Sequence, residues 1–476
     1  MTSTAEDALV AVVDQGSTGT KAALVDAAGR RHAVSSRPVE RTAAGQRIEH
    51  DAEALAAGVE ACLEELLAAG RPAAVGLTCQ RSTCLLWERR GGRPLTRALS
   101  WQDVSETRRV DSLASHADEV ATRTGLHLSP HYAAPKLARL LDEVPDGRRR
   151  ALGGELVAGT LDAFLAQRLT GEATTEPGHA GRSLLYNLDR GEWDPALCEL
   201  FGVPQVALPR LLASAELRGE WRGVPLVAAA GDQQAALIGH GGWRPGVVAA
   251  HFGTGAFVLA ACGDHPLRRS GLLAAVLAST PLRRQFQLEG SVNSAGSAVD
   301  WACRLTGERL GEWEERALDP RLLPRVVPAF AGLGAPWWRP AAAAEITGLR
   351  HEHDGRSLLA GVLAGVAQRA LDCVEAIAAA GVPAKTLRVS GKLTRLRGLV
   401  ALLADLGQLP VEVSTEEETG LDGIARLAFT ALEEDTAPLA RSAAAERAIE
   451  PSWSPADAEH ARRAWRLPLE NEPDDG

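Results

Sequence analysis

Four short stretches of this chain combine residue types that could hold a phosphate group at the edge of a sheet. The first follows the apolar run Ala11-Val12-Val13 and reads Asp14-Gln15-Gly16-Ser17-Thr18-Gly19-Thr20-Lys21, before a second apolar run over 22–25 closes the unit at Asp26. A bend this rich in Gly, Ser and Thr can turn backbone N–H groups and hydroxyls onto a phosphate. Lys21 would add positive charge, and Asp14, at a strand end, is placed to hold a metal ion. A plain surface hairpin with a solvated lysine would look the same on this stretch alone. The second stretch, Gly231-Asp232-Gln233-Gln234, is a polar cluster that ends an apolar run over 225–230 and opens a helix. The third, Phe252-Gly253-Thr254-Gly255-Ala256-Phe257, is a small-residue turn between two apolar runs, and the fourth is Ser390-Gly391-Lys392 after 387–389. Polar residues gathered at strand ends are expected where an α/β sheet binds a ligand.

Composition narrows the partners. The chain has 476 residues, a net charge of −10 and 45% hydrophobic residues, enough for about two to four domains with large cores. The acidic balance excludes a nucleic-acid or anionic-membrane partner by charge, since no Lys/Arg cluster is long enough to argue otherwise. Seven cysteines (62, 79, 84, 198, 262, 303 and 373) contain no Cys-x-x-Cys pair and no zinc spacing. They read as small buried hydrophobes of a reducing compartment. The first ten residues lack a charged segment followed by an apolar one, and no 18-residue apolar run is present, so the expected location is cytoplasmic.

The elements that must position these stretches alternate between strand and helix patterns. Strands are expected at 30–39, 74–78, 85–87, 225–230, 247–251, 258–261, 285–290, 387–389 and 411–413. Asp51 is a good N-cap for a helix over 52–69, stopped by Gly70 and Pro72. Helix patterns also cover 156–169, 294–305, 359–380 and 420–432, the longest carrying Leu359, Val362, Leu363, Val366, Val374 and Ile377 on one stripe. Residues 99–103 repeat a strand that ends in polar residues, here Trp101-Gln102-Asp103. The small-residue hairpin at 247–261 echoes the one at 11–26. This suggests two domains of related construction, α/β with mixed sheets, meeting near the glycine-rich 239–246.

With these stretches together, the chain resembles the FGGY carbohydrate kinases, and among them most resembles the glycerol kinases. The resemblance covers roughly residues 8–466. It is carried by AVVDQGSTGTK, GLTCQRST, LSWQD, GDQQAAL, FGTGAF, EGSV followed by Ala295-Gly296, and VPAFAGLGAPWW, in the family's order. It implies two duplicated actin-like (ribonuclease-H-type) domains around a nucleotide cleft. Residues 1–242 would hold the acceptor pocket, the first phosphate loop and the catalytic Asp, and 243–469 the second phosphate loop and the adenosine site, with 470–476 a frayed acidic tail. The activity implied is ATP- and Mg²⁺-dependent phosphorylation of a hydroxyl of a small polyol or sugar, glycerol or a related polyol.

By the same resemblance Asp232 matches the general base, and Asp14, with Asp232, the Mg²⁺ ligands, Asp14 acting through water. Ser17, Thr18, Gly19 and Lys21 match the first phosphate loop, Gly253 and Thr254 the second, and Gly296, Asp300, Gly391 and Lys392 the remaining nucleotide site. Gln80, Arg81, Ser82, Trp101, His131, Gln233 and Phe257 match the acceptor pocket. The family is often dimeric or tetrameric, so a homo-oligomer is implied, with no nucleic acid and no membrane as partner. Two departures bear on the acceptor: glycerol kinases read Gln-Arg-Glu where this chain has Gln80-Arg81-Ser82, and a pocket tyrosine aligns with His131. Three more bear on the nucleotide: the family's Gly-Gly is Gly391-Lys392, an Asn aligns with Leu396, and a frequent Gln is Asp300. These departures leave open a second reading, a catalytically weak homologue that binds a metabolite or regulates a partner.

Overall fold

The residue pattern of the opening hairpin folds as its alternation requires. In the computed structural model, which describes residues 8–414, 418–433 and 445–470, β1 (Leu9–Gln15) and β2 (Gly19–Asp26) pair antiparallel with Asp14 opposite Lys21. The expected acidic tail lies outside the described residues except for Glu470. β3 (Arg31–Pro38) extends the meander. The Asp51 carboxylate accepts from the Ala54 N–H at 3.0 Å and starts α1 (Ala52–Ala69), which buries Leu55, Val59, Cys62, Leu63 and Leu66 against the sheet. β4 (Ala74–Cys79) then runs parallel to β1, setting Thr78 beside Asp14. After the excursion that carries α2 (Ala133–Glu143), β5 (Val224–Gly231) joins parallel to β4 and leads straight into α3 (Asp232–Gly239).

The second half repeats the plan. β6 (Val247–Phe252) and β7 (Ala256–Gly263) form a hairpin, and β8 (Arg283–Val292) pairs antiparallel with β7. α4 (Gly296–Thr306) and α5 (Gly355–Ala379) follow. β9 (Thr386–Ser390) lies parallel to β6, and β10 (Val411–Ser414) parallel to β9. The sheet orders are Ala215–Trp221, β5, β4, β1, β2, β3 and Leu273–Thr280, β8, β7, β6, β9, β10, Ala445–Ile449. Three antiparallel strands followed by two parallel ones thus appear twice, with a hairpin strand at the centre of each. The parallel central strands are buried, which is why they read as continuous apolar runs.

α5 is long and apolar enough to cross a membrane by length and composition, but its side chains are packed in the second core. α6 (Thr419–Glu433) belongs by sequence to the second half, yet packs on the first sheet and on α3. That crossing brings backbones into contact. A Cβ on Gly423 would lie 1.8 Å from the Ala235 carbonyl oxygen, and one on Gly239 2.0 Å from that of Thr419. Five cysteines are buried, Cys262 and Cys303 are half-buried, and all seven are free thiols.

Two expectations change. Residues 156–169 are not one helix but a strand, Leu156–Thr160, followed by a helix, Leu161–Thr170. Leu156, Val157 and Ala158 are buried and pair with Glu88, Trp87 and Leu86 of the strand Cys84–Glu88, and a run without a polar face carries no period to read. The helix Pro455–Glu470 is also absent from the sequence reading. Among its described side chains, Asp457, Glu459, His460 and Arg463 are exposed, and Ala458, Ala461, Arg462 and Trp465 are buried.

Candidate active site

The first turn is closed by the Gly16 N–H donating to the Gly19 carbonyl at 2.9 Å, which leaves Ser17 half-buried and Thr18 exposed at its tip. Lys21 does not stand free beside them. Its ammonium, half exposed, pairs with Glu418 just before α6 at 2.5 Å. Asp14 lies under this pair, with the start of α6 against it: a Cβ on Gly420 would sit 3.3 Å from Asp14 Oδ2. Asp14 Oδ1 is buried without a partner. Burial, and then the charges of Asp232 and Glu418, push its pKa from 3.8 up to about 7, against a weaker pull from Lys21.

An orphaned carboxylate oxygen repelled by two other carboxylates suits a divalent cation. Among the described residues no three His, Cys, Asp or Glu side chains converge as a complete metal cage. That suits Mg²⁺, which keeps several waters and takes phosphate oxygens as ligands. With its folded pKa raised, Asp14 holds a proton that the unfolded chain has released, so its burial destabilises the metal-free protein increasingly as pH rises from about 4 through about 7. In metal-free buffer, Asp14→Asn is expected to gain Tm relative to wild type between about pH 5 and about pH 8. A difference that does not change with pH would remove the shift.

Asp232 is the first residue of α3 rather than its cap, which is Gly231. Its Oδ1 accepts from the Gln233 N–H at 2.8 Å and faces Arg81 Nε at 3.2 Å, while Oδ2 has only a 3.5 Å contact to Gln233 Nε2. Arg81 is buried and its fork is spent on protein groups. Nη1 and Nη2 donate to the two oxygens of Glu289 on β8, at 2.8 and 3.1 Å. Arg182 binds the same carboxylate from the other side. Burial alone would raise Glu289, but the two guanidinium groups outweigh it and hold Glu289 below its ordinary value. Arg81 is therefore not a surface ion pair; it is buried and bridges Asp232 of the first half and Glu289 of the second. Beside it, Gln233 Oε1 is buried without a donor, an acceptor open to a hydroxyl.

The acceptor residues divide. Gln80 is occupied by the Gly16 carbonyl at 3.4 Å and the Thr83 hydroxyl at 3.1 Å, tying the first turn to this wall. Ser82 has φ +62° and turns its hydroxyl to the Arg182 carbonyl at 3.4 Å. His131 is exposed and held through Nδ1 by the Trp101 carbonyl at 3.1 Å, and Trp101 is half-buried. Phe257 is half-buried against the apolar cluster between the halves. What joins the Ser82, Trp101 and His131 loops is a residue the sequence reading passed over. Lys136 on α2 is fully buried, and its ammonium donates to the carbonyls of Ser82, Ser100 and His131, each at 2.9 Å. The available signal was a lone lysine among the buried Leu137, Ala138, Leu140 and Leu141.

The second turn is braced from behind. The Ala295 and Ser297 N–H groups donate to the Thr254 carbonyl and the Gly296 N–H donates to the Gly253 carbonyl, all at 3.0 Å. A Cβ on Gly296 would stand 2.5 Å from that oxygen. Gly391, at φ +97°, packs its α-carbon on the Phe252 carbonyl, where a Cβ would come to 2.2 Å. In the second half, Gly253, Thr254, Gly296 and Gly391 are thus packed together through Phe252 and the start of α4. Asp300 and Lys392 are exposed, and Leu396 is buried in the second core.

Comparison with known proteins bears on this arrangement. Residues 9–239 match the model of the N-terminal domain, and 248–432 that of the C-terminal domain, of the FGGY family of carbohydrate kinases. A glycerol kinase of Citrifermentans bemidjiense is 35% identical over 478 residues, covering 95% of this chain and 96% of the relative. Among solved structures, a Plasmodium falciparum glycerol kinase with ADP superposes with a TM-score of 0.91 at 23% identity, over 97% of both chains. A xylulose kinase from Rhodospirillum rubrum gives 0.86 at 20% identity, over 97% of this chain and 98% of that one. At such identities the superpositions speak for the fold.

Proposed function

The chain belongs to the FGGY family of carbohydrate kinases, an ATP-dependent kinase similar to glycerol kinases, and on that premise we propose that Asp232 is the general base that takes the proton from the attacking hydroxyl of a small polyol or sugar. The observation that carries this reading is the asymmetry of the Asp232 carboxylate. Oδ1 is anchored by the Gln233 N–H and Arg81, while Oδ2 stands nearly free beside the unpartnered Gln233 Oε1. The anchored oxygen fixes the carboxylate's orientation, and Oδ2 accepts the proton as the oxygen attacks. Gln233 Oε1 accepts from a second hydroxyl of the acceptor.

Phosphoryl transfer asks for positioning and charge neutralisation rather than covalent help. The turns at Ser17–Gly19 and Gly253–Thr254, one from each half, supply hydroxyls and their unpaired backbone N–H groups for the phosphates, the Gly253 N–H being spent on the Gly255 carbonyl. We take residues 1–242 and 243–469 as the two halves, with α6 reaching back across. Mg²⁺ held by Asp14 and Asp232 would neutralise charge on the phosphate chain. Lys21 would reach the phosphates by giving up Glu418.

The acceptor we propose is a polyol or sugar other than glycerol. A carboxylate at position 82 would accept two hydroxyls, and Ser82, its hydroxyl on the Arg182 carbonyl, supplies none; with His131 in place of Tyr, the pocket has more room and less negative charge. Pockets that hydrogen-bond hydroxyls discriminate sharply, so these two changes can move the substrate. A panel of polyols and sugars assayed with ATP tests this, and glycerol giving by far the highest kcat/KM would overturn it. The alternative of a catalytically weak, metabolite-binding homologue draws support from Leu396, buried in the core rather than offered to a nucleotide. Titration with ATP·Mg²⁺ separates the two, because no binding at millimolar nucleotide argues against a kinase.

A further inference from the structure

His251 stands in β6 where Asp14 stands in β1. Each precedes the first glycine of its turn by two residues, and each pairs across to the parallel neighbour strand, Asp14 with Thr78 and His251 with Ser390. The Nε2–Cδ2 edge of the imidazole is beside the turn: Nε2 lies 3.6 Å from where a Cβ on Gly253 would be. The charges of Asp232 and Glu418 also reach the ring, so it borders the same cleft as Asp14. Nε2 has no hydrogen-bond partner among the described residues.

The other nitrogen is held by a relay. His251 Nδ1 lies 2.9 Å from Ser390 Oγ, and Ser390 Oγ lies 3.0 Å from His240 Nε2. His240 follows α3 and is buried. Burial first, then the neighbouring His251, Arg388 and Arg426, push its pKa down to about 3, so the ring is neutral. Its Nδ1 is buried without a partner. An orphaned buried N–H is rarer and costlier than an orphaned acceptor, so the hydrogen belongs on Nε2 and is donated to Ser390 Oγ. The Ser390 hydroxyl then donates to His251 Nδ1. His251, which burial also lowers, is left with its hydrogen on Nε2.

We propose that His251 is a phosphate-binding residue of the second turn, whose Nε2–H donates to an oxygen of the nucleotide's phosphate chain, and that Ser390 and His240 hold it in the donating tautomer. The proposal rests on the kinase reading above. It gives the second half a fixed neutral donor at the position where the first half carries a carboxylate.

The test is calorimetric titration of the full chain with ATP·Mg²⁺ and with ADP·Mg²⁺, and ligand-observed NMR titration with adenosine as a probe that lacks phosphate. His251→Ala is expected to weaken both nucleotides about 10- to 100-fold, the worth of a hydrogen bond to a charged group, and to leave adenosine within about twofold. His251→Gln, which keeps an N–H at similar reach, should recover most of the loss. Ser390→Ala, which frees the tautomer, should lose about 3- to 10-fold. Wild-type affinity for ATP in His251→Ala, equal losses for adenosine and ATP, or no recovery in His251→Gln would each overturn the role. A wild-type protein that binds neither nucleotide overturns the kinase reading itself, an outcome separate from any indifference of His251→Ala.

Discussion

Asp232→Asn is expected to lower kcat by about 10²- to 10⁴-fold, the usual worth of a positioned general base, with the KM for ATP within about threefold of wild type. Asparagine keeps the shape and can still accept from the Gln233 N–H and Arg81 through its Oδ1. What it loses is the negative charge, and with it the capacity of the second atom to take a proton and its share in holding Mg²⁺. The clamp behind it, Glu289 held between Arg81 and Arg182, is untouched, so the fold is not at stake. One neighbour responds. With the Asp232 charge gone, one cause of the raised Asp14 pKa disappears, and the pH dependence of metal-free Tm should flatten as well. Steady-state kinetics with the best acceptor of the panel decide the matter. A variant keeping more than about a tenth of wild-type kcat would exclude Asp232 as the base.

Lys136→Met carries the second large effect. Methionine fills a similar volume but strips three carbonyls of their shared donor, and hydrogen bonds from a charged donor are worth about 1.5–3 kcal/mol each. Relaxation recovers part of this, so the expected loss of stability is about 3–5 kcal/mol. The functional loss should be lopsided. Ser82 and His131 line the acceptor pocket we propose, and Ser100 precedes its Trp101, so the KM for the acceptor should rise about tenfold or more while the KM for ATP moves little. Thermal melts and a two-substrate kinetic matrix read both effects. If the two KM values rise together, Lys136 supports the whole molecule rather than one pocket.

Much of this molecule is legible from local sequence. The two Gly/Ser/Thr-rich bends, the Asp51 cap, the continuous apolar central strands and the long stripe of α5 each answer a demand that a few neighbouring residues make on their own backbone. Where apolar residues surround a segment entirely, as at 156–160, the period vanishes and the strand is invisible until its partner at Cys84–Glu88 is known. The site separates along the same line. Its turns, Asp14, Asp232 and Gln233 are visible as polar residues that interrupt apolar runs. Its wiring is not.

Arg81 meets Glu289 across 208 residues, Arg182 meets it across 107, Lys136 meets Ser82 across 54, and Ser390 meets His240 across 150. The sequence by itself nominated residues for phosphate, metal and a proton, because those properties belong to side-chain type and to the bend that presents it. Only the tertiary structure decided that Lys21 is paired with Glu418, that Arg81 bridges Asp232 and Glu289, that one buried lysine ties the acceptor wall together, and that His251 turns an N–H toward the second turn. A buried charge or polar group must find its partner wherever the fold brings one, and nothing in the local chain says where that will be.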